Sequence, residues 1–197
     1  MHILGLTGDM GAGKTYVANL FRRRGWPVFD ADATVHRLQG PGGEAVAPIK
    51  ALWPEAVPGD AIDRTALRHI VIGHPDRLKA LEAIVHPLVR QERQRFLRRM
   101  QARGKRWCVL DIPLLFETDA YRACDRILVV TAAESTRLRR IMRRRGMSEE
   151  QARNLLARQI GDAKRRRLAD VIIRTDLSRA ATFRQLRRLQ HDLEAMR

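Results

Sequence analysis

One stretch near the start of the chain narrows the possible folds more than any other. Residues 8–15 read Gly8-Asp9-Met10-Gly11-Ala12-Gly13-Lys14-Thr15 and fit the pattern G-x-x-x-x-G-K-[ST]. Such a loop works only where a buried strand turns into a helix whose N-terminus faces the turn. Both flanks agree. Ile3-Leu4-Gly5-Leu6 is an apolar run of strand length, and beyond Lys14 the apolar residues Val17, Leu20 and Phe21 share one helical face. Glycines let backbone N–H groups turn around phosphate oxygens with no Cβ in the way, and the helix dipole favours an anion there. Gly8, Gly11, Ala12, Gly13, Lys14, Thr15 and Tyr16 are therefore the candidate cofactor-binding residues. Lys14 has the reach for the β- and γ-phosphates of a nucleoside triphosphate, and Thr15 carries the hydroxyl that ligates Mg²⁺. A chance glycine-rich turn is the alternative, and the strand before and the helix after speak against it.

A chain of 197 residues with 45% apolar content can bury one good core, with room for a small inserted lobe. Its two cysteines, Cys108 and Cys124, make no disulfide framework. Met1-His2 leads directly into the first apolar run and no stretch is long enough to span a bilayer. A cytoplasmic monomer with no membrane partner is the expectation. The formal net charge of +16 raises nucleic acid as a partner. Yet the surplus is mostly arginine spread along helical segments, with few aromatics between. Base composition of the genome accounts for that as well, and so does a pair of polyphosphorylated substrates, which arginine suits. No nucleic-acid partner is expected.

Strand and helix signals alternate. Residues 26–30 read as a second strand, 107–111 as a third, 126–130 as a fourth and 171–173 as a fifth. Alternation of this kind predicts a parallel sheet covered by helices on both faces. Between the second and third strands lies a long stretch without strand signals, a candidate inserted lobe. Within it Asp63 is placed to cap a helix over 64–72, and Leu78, Leu81, Ile84 and Val85 recur at helical spacing until Pro87 predicts a kink or a new helix. A basic helical region covers 134–167, with Gly146 placed to end one helix and hinge into the next. Phe183, Leu186, Leu189 and Leu193 line a closing amphipathic helix.

Several side chains are candidates for chemistry. Asp30 and Asp32 end the second strand, at the sheet edge where open α/β sheets bind ligands. A carboxylate there accepts a proton from a substrate hydroxyl or helps hold Mg²⁺; alternatively one of the pair, Asp32 for instance, only caps the helix starting at Ala33. Asp111 closes the third strand and either supports the Mg²⁺ site or merely terminates the strand. It leads into Pro113-Leu114-Leu115-Phe116-Glu117, an apolar wall for a pocket. Arg137, Arg139, Arg140, Arg143, Arg144 and Arg145 crowd one helix, and Arg153, Arg158, Lys164, Arg165, Arg166 and Arg167 follow. A lid arginine would stabilise charge on a transferred phosphoryl group, although most of these residues must be solvated surface. His86, before Pro87, reads either as a cap or packing residue or as part of a site.

Taken together, these motifs resemble the dephospho-CoA kinase family. The resemblance is carried by the phosphate loop, Asp30-Ala31-Asp32, Ile62-Asp63-Arg64, residues 81–87 ending His86-Pro87, the segment 111–117, Arg137 to Arg140, Lys164-Arg165 and Ala169-Asp170. It implies a P-loop NTPase fold, a three-layer α/β/α unit with a five-stranded parallel sheet, a helical substrate-binding lobe and a helical lid. The implied core is 1–32, 104–133 and 170–197, the CoA-binding lobe 33–103 and the lid 134–169. The implied reaction is ATP-dependent phosphorylation of the ribose 3′-hydroxyl of dephospho-CoA, with Mg²⁺. Carried over, Lys14, Asp32 and Arg140 are catalytic as phosphate clamp, base and lid arginine, while Asp32, His86, Leu115 and Glu117 bind substrate and Thr15 the metal. The chain departs from the family in two places. Asp9-Met10 stands where members often have Gly-Ile, and an acidic residue in an anion cradle is unfavourable unless its side chain turns away. Arg174-Thr175-Asp176 stands where an Asn near the adenine is common, which leaves that contact unassigned.

Two rivals remain at this level. A nucleoside monophosphate kinase would share the architecture but lack the His-Pro and Pro-Leu-Leu-Phe-Glu segments. A nucleic-acid-binding ATP switch would show salt-sensitive binding, and the sequence has no aromatic platform for it.

Overall fold

Apolar runs that alternate with helical segments become a parallel sheet because each crossover helix covers one face of it. In the computed structural model, which describes residues 1–157 and 167–196, five strands stand in the order β2-β3-β1-β4-β5. They are β1 (His2–Gly8), β2 (Val28–Asp30), β3 (Trp107–Asp111), β4 (Arg126–Thr131) and β5 (Val171–Arg174). β1 pairs in parallel with β3 and β4, with Leu6 opposite Asp111 and Gly8 opposite Val130. Every residue of β3 is buried, which is why that strand reads as an unbroken apolar run with one acid at its end. The second strand is shorter than predicted. Trp26 lies outside it and instead stacks on Trp107 with ring centroids 6.3 Å apart. Pro27, which has no N–H to give, accepts a bond from Val109 N at 2.8 Å.

The helices are α1 (Lys14–Arg23), α2 (Ala31–Leu38), α3 (Val46–Leu52), α4 (Arg64–Val71), α5 (Pro75–Ala102), α6 (Glu134–Arg145), α7 (Glu149–Ala157) and α8 (Arg179–Ala195). The chain divides into two compact units, Met1–Phe29 with Met100–Arg197, and Asp30–Arg99. In the first, Val17 and Phe21 of α1 and Leu186, Leu189 and Leu193 of α8 share a core with Leu4, Leu6, Leu128, Val130 and Ile173 of the sheet. The buried stripe of α8 differs from the expected one. It includes Thr182 and Gln190, while Phe183 sits at its margin, 36% exposed, with the Arg24 guanidinium 5.7 Å from its ring centroid.

The second unit has its own core of Leu38, Ile49, Val57, Ile62, Leu67 and Val85. Asp63 caps α4 as the sequence suggests, its Oδ1 accepting from Thr65 N at 2.8 Å and Ala66 N at 3.1 Å. Pro87 begins no new helix. α5 runs through it for 28 residues, because one lost backbone bond is outweighed by Leu81, Ile84, Val85, Leu88 and Val89 packing on that core.

α6 and α7 form a small cluster around Leu138, Ile141 and Ala152. Gly146 ends α6 in the left-handed region, φ 62°, and returns its N–H to Met142 O at 2.9 Å. Arg158, Lys164, Arg165 and Arg166 lie outside the described residues. Among the described residues no helix is long and apolar enough to cross a membrane.

Candidate active site

The phosphate loop has the backbone its glycines predict. Gly11 and Gly13 take φ of 76° and 90°, a region where a side chain is strained. A Cβ on Gly11 would meet Arg137 O at 2.8 Å, and one on Gly13 would meet the Thr175 hydroxyl at 3.1 Å. Gly13 is the N-cap of α1, whose first turn holds no acidic residue. The positive end of the helix dipole is therefore not offset locally. Thr15 is exposed in this turn, and Tyr16 is half-buried.

Lys14 Nζ donates to Asp111 Oδ1, and the two side chains are 16% and 5% exposed. The register that sets Asp111 opposite Leu6, two residues before the loop, brings the pair together. Asp111 is thus part of the loop's surroundings and not only a strand end.

Arg140 reaches from α6 to the loop. Its Nη1 donates to Gly11 O and to Thr175 Oγ1, both at 2.9 Å, and Nη2 donates to Thr175 O at 2.8 Å. The Thr175 hydroxyl in turn donates to Ala12 O at 2.5 Å. The segment after β5, left unassigned by the sequence, thereby clamps the loop from a third direction. Asp9 is ion-paired with Arg137, Nη1 to Oδ2 at 2.8 Å, and both side chains are almost wholly buried. The carboxylate that looked misplaced in an anion cradle is held by a cation one helical turn from Arg140.

Of the arginines on α6, Arg139, Arg143 and Arg144 are exposed, whereas Arg137 and Arg140 face the loop. Sequence reasoning named Arg137 only as one of the crowded arginines, singled out Arg140 by resemblance and gave Thr175 no role. An acid inside a phosphate loop signals that a cation is needed, but spacing along α6 does not say which arginine supplies it.

Asp176 fixes the start of α6. Its Oδ2 accepts the Ala133 N–H at 2.9 Å and pairs with Arg174 Nη2 at 3.0 Å. Hydrogen bonding from Arg174 and from the Ala133 N–H, against an opposing effect of burial, holds its carboxyl down to about 2. A depressed folded value contributes stability above the unfolded pKa of ~3.9 and loses it as pH falls towards about 2. Asp176→Asn is expected to narrow the difference in melting temperature between pH 5 and pH 2.5. An unchanged difference would show that this carboxylate adds nothing to stability.

The remaining candidates are placed as follows. Leu115 is fully buried, with a methyl group 3.0 Å from where a Gly5 Cβ would be, so it supports the segment after β3 from beneath; Leu114 is 54% exposed and Glu117 exposed. In the second unit, Asp30 rather than Asp32 is the N-cap of α2, its Oδ1 accepting from Ala33 N at 2.9 Å. The capping alternative raised for Asp32 is therefore overturned. Asp32 lies exposed in the first turn of α2. His86 is exposed on α5.

The family model for dephospho-CoA kinase matches residues 2–180. The dephospho-CoA kinase of Gluconobacter oxydans is 53% identical over 198 residues, covering 98% of both chains. That of Rhizobium meliloti is 46% identical, covering 99% of this chain and 100% of its own length. Among solved structures, a Thermus thermophilus protein covers 100% of this chain and 98% of its own at 35% identity and a TM-score of 0.85. Dephospho-CoA kinase from Campylobacter jejuni, 23% identical with a TM-score of 0.75 and coverage of 97% and 96%, shares the fold. With a phosphate loop on a parallel sheet and relatives that match it end to end, the chain belongs to the dephospho-CoA kinase family of ATP-dependent phosphotransferases.

Proposed function

We propose that the protein transfers the terminal phosphoryl group of ATP to the ribose 3′-hydroxyl of dephospho-CoA, giving CoA and ADP. One observation supports this most. The loop is already bent for phosphate, with Gly11 and Gly13 at positive φ, Lys14 at the head of α1 and Arg140 tied to it. The donors also fit a nucleotide with its cation. Thr15 is an exposed hydroxyl at the helix head, and among the described residues no group of three or more His, Cys, Asp or Glu forms a metal site of its own. The Thr15 hydroxyl and the Asp111 carboxylate beside Lys14, completed by nucleotide phosphates and water, are a donor set that suits Mg²⁺. Bound there, Mg²⁺ would neutralise charge on the β- and γ-phosphates.

The backbone N–H groups of Gly11, Gly13, Lys14 and Thr15 hold phosphate oxygens, those of Ala12 and Tyr16 being given to Asp9 O and Gly13 O, and Lys14 clamps the β- and γ-phosphates. Asp32 accepts the proton of the 3′-hydroxyl as its oxygen bonds to the γ-phosphorus and the bond to the leaving ADP oxygen breaks. Little covalent work falls to the protein, because phosphoryl transfer depends on positioning and on stabilising spread negative charge. Residues 33–103 form the acceptor lobe, with His86 as a contact. Glu117 and the segment supported by Leu115 wall the acceptor, and residues 134–169 act as the lid. This reading includes a cytoplasmic monomer that binds neither nucleic acid nor membrane.

The test is ADP release with dephospho-CoA, adenosine and AMP as separate acceptors. Turnover with dephospho-CoA alone is expected. Preference for AMP would move the protein to the nucleoside monophosphate kinases.

Arg140 gives a finer prediction. It acts on charge that develops in the transition state, so Arg140→Ala is expected to lower kcat more than it raises KM for ATP. Its bonds to Gly11 and Thr175 add a loss of loop order. Arg140→Lys should recover only part, because a point charge cannot reproduce a forked contact with two carbonyls. Arg144→Ala, exposed one turn on, should change little. A rise in KM for ATP alone would make Arg140 a ground-state contact.

A further inference from the structure

Asp9 is the one acidic residue in the phosphate loop. A carboxylate within about 8 Å of a bound polyphosphate opposes binding unless a cation cancels it. In this chain a cancelling group is on α6. Asp9 and Arg137 side chains are 3% and 13% exposed, with Nη1 and Oδ2 2.8 Å apart. The neighbouring loop residues rest on the same region. Met10 packs against the Leu138, Ile141 and Ala152 cluster, and Gly11 lies so close to Arg137 O that a Cβ would be 2.8 Å from it. Arg137 Nε is buried with no hydrogen-bond partner, so the ion pair with Asp9 offsets the burial of this guanidinium.

We propose that Arg137 is a positioning residue for the nucleotide. Its ion pair silences the loop carboxylate and holds residues 9–11 in the phosphate-binding conformation, which makes α6 part of the ATP site. The proposal rests on the reading that this loop binds ATP. A simple structural brace would predict lower stability for a variant, but no dependence of ATP binding on whether Asp9 is charged.

The test measures Mg·ATP binding by calorimetry without acceptor, and steady-state kinetics with each substrate varied. The proteins are the wild type, Arg137→Gln, Arg137→Lys and the double variant Asp9→Asn/Arg137→Gln. Arg137→Gln is expected to weaken ATP binding roughly thirty-fold, the effect of one uncompensated charge about 8 Å from an anion at an effective dielectric of about 20. KM for ATP rises accordingly, and KM for dephospho-CoA stays the same. Arg137→Lys regains part of the loss. The double variant binds ATP better than Arg137→Gln although it lacks the same arginine. A double variant no better than Arg137→Gln, or an Arg137→Gln protein that binds ATP as the wild type does, overturns the proposal. Should Arg137→Gln not fold, the double variant decides: ATP binding within roughly tenfold of wild type supports the proposal and a larger loss overturns it. A wild type that binds ATP but phosphorylates no dephospho-CoA sinks the proposed reaction and leaves the role of Arg137 standing. One that binds no ATP overturns both.

Discussion

Lys14→Ala is expected to reduce phosphoryl transfer to background and also to lower the melting temperature. The catalytic loss follows from removing the charge that clamps the β- and γ-phosphates at the head of α1. The stability loss was not apparent from the sequence, where Lys14 reads only as a charge for the β- and γ-phosphates. In the structure its partner Asp111 is 5% exposed, so the variant strips a buried carboxylate of a cation. Breaking such a pair costs about 3–5 kcal/mol, and the carboxylate's other contacts reduce that figure. The double variant Lys14→Ala/Asp111→Asn separates the effects. It should regain much of the lost melting temperature without regaining turnover. Near-normal turnover in either variant would refute the phosphate-loop reading. A single variant as stable as wild type would show that the ion pair contributes nothing net.

Asp32→Asn is expected to lose turnover by ~10²–10⁴-fold, the usual range for removing a general base. Asp30→Asn should lose little, and the two positions differ for a physical reason. Asp30 caps α2 through Oδ1 to Ala33 N, and asparagine caps as well as aspartate does. Asp32 is an exposed first-turn carboxylate, so amidation removes its basicity and leaves the helix cap alone. kcat and kcat/KM for both variants, with dephospho-CoA varied, decide the matter. If the two behave alike, or Asp30→Asn is the crippled one, the base is wrongly assigned.

The five strands, the phosphate loop and the family were legible because each is written in local pattern. An apolar run marks a strand buried on both faces, and glycine spacing marks a turn that must pass through positive φ. The cap at Asp63 and the end of α6 at Gly146 were legible for the same reason. Where reading failed, the deciding contact joined residues far apart in the chain. Pro87 breaks a helix in isolation, but packing across the second unit carries α5 through it. Phe183 fits an apolar stripe, but the rotation of α8 against the sheet buries Thr182 and Gln190 instead.

By itself, then, the sequence determined the strand-loop-helix unit, the parallel sheet and the residue types available for phosphate. These follow from backbone sterics and hydrophobic period, which act over a few residues. Which members of a charged set do the work was decided only by tertiary structure. α6 presents arginines on several faces, so no polar period distinguishes Arg137 and Arg140 from Arg139, Arg143 and Arg144. Only the docking of that helix on the loop ties the first two to loop atoms and leaves the others in water. The same docking turns Asp9 from a defect in an anion cradle into half of an ion pair, because the energy of a buried charge is set by what lies within a few ångströms of it and not by its place in the chain.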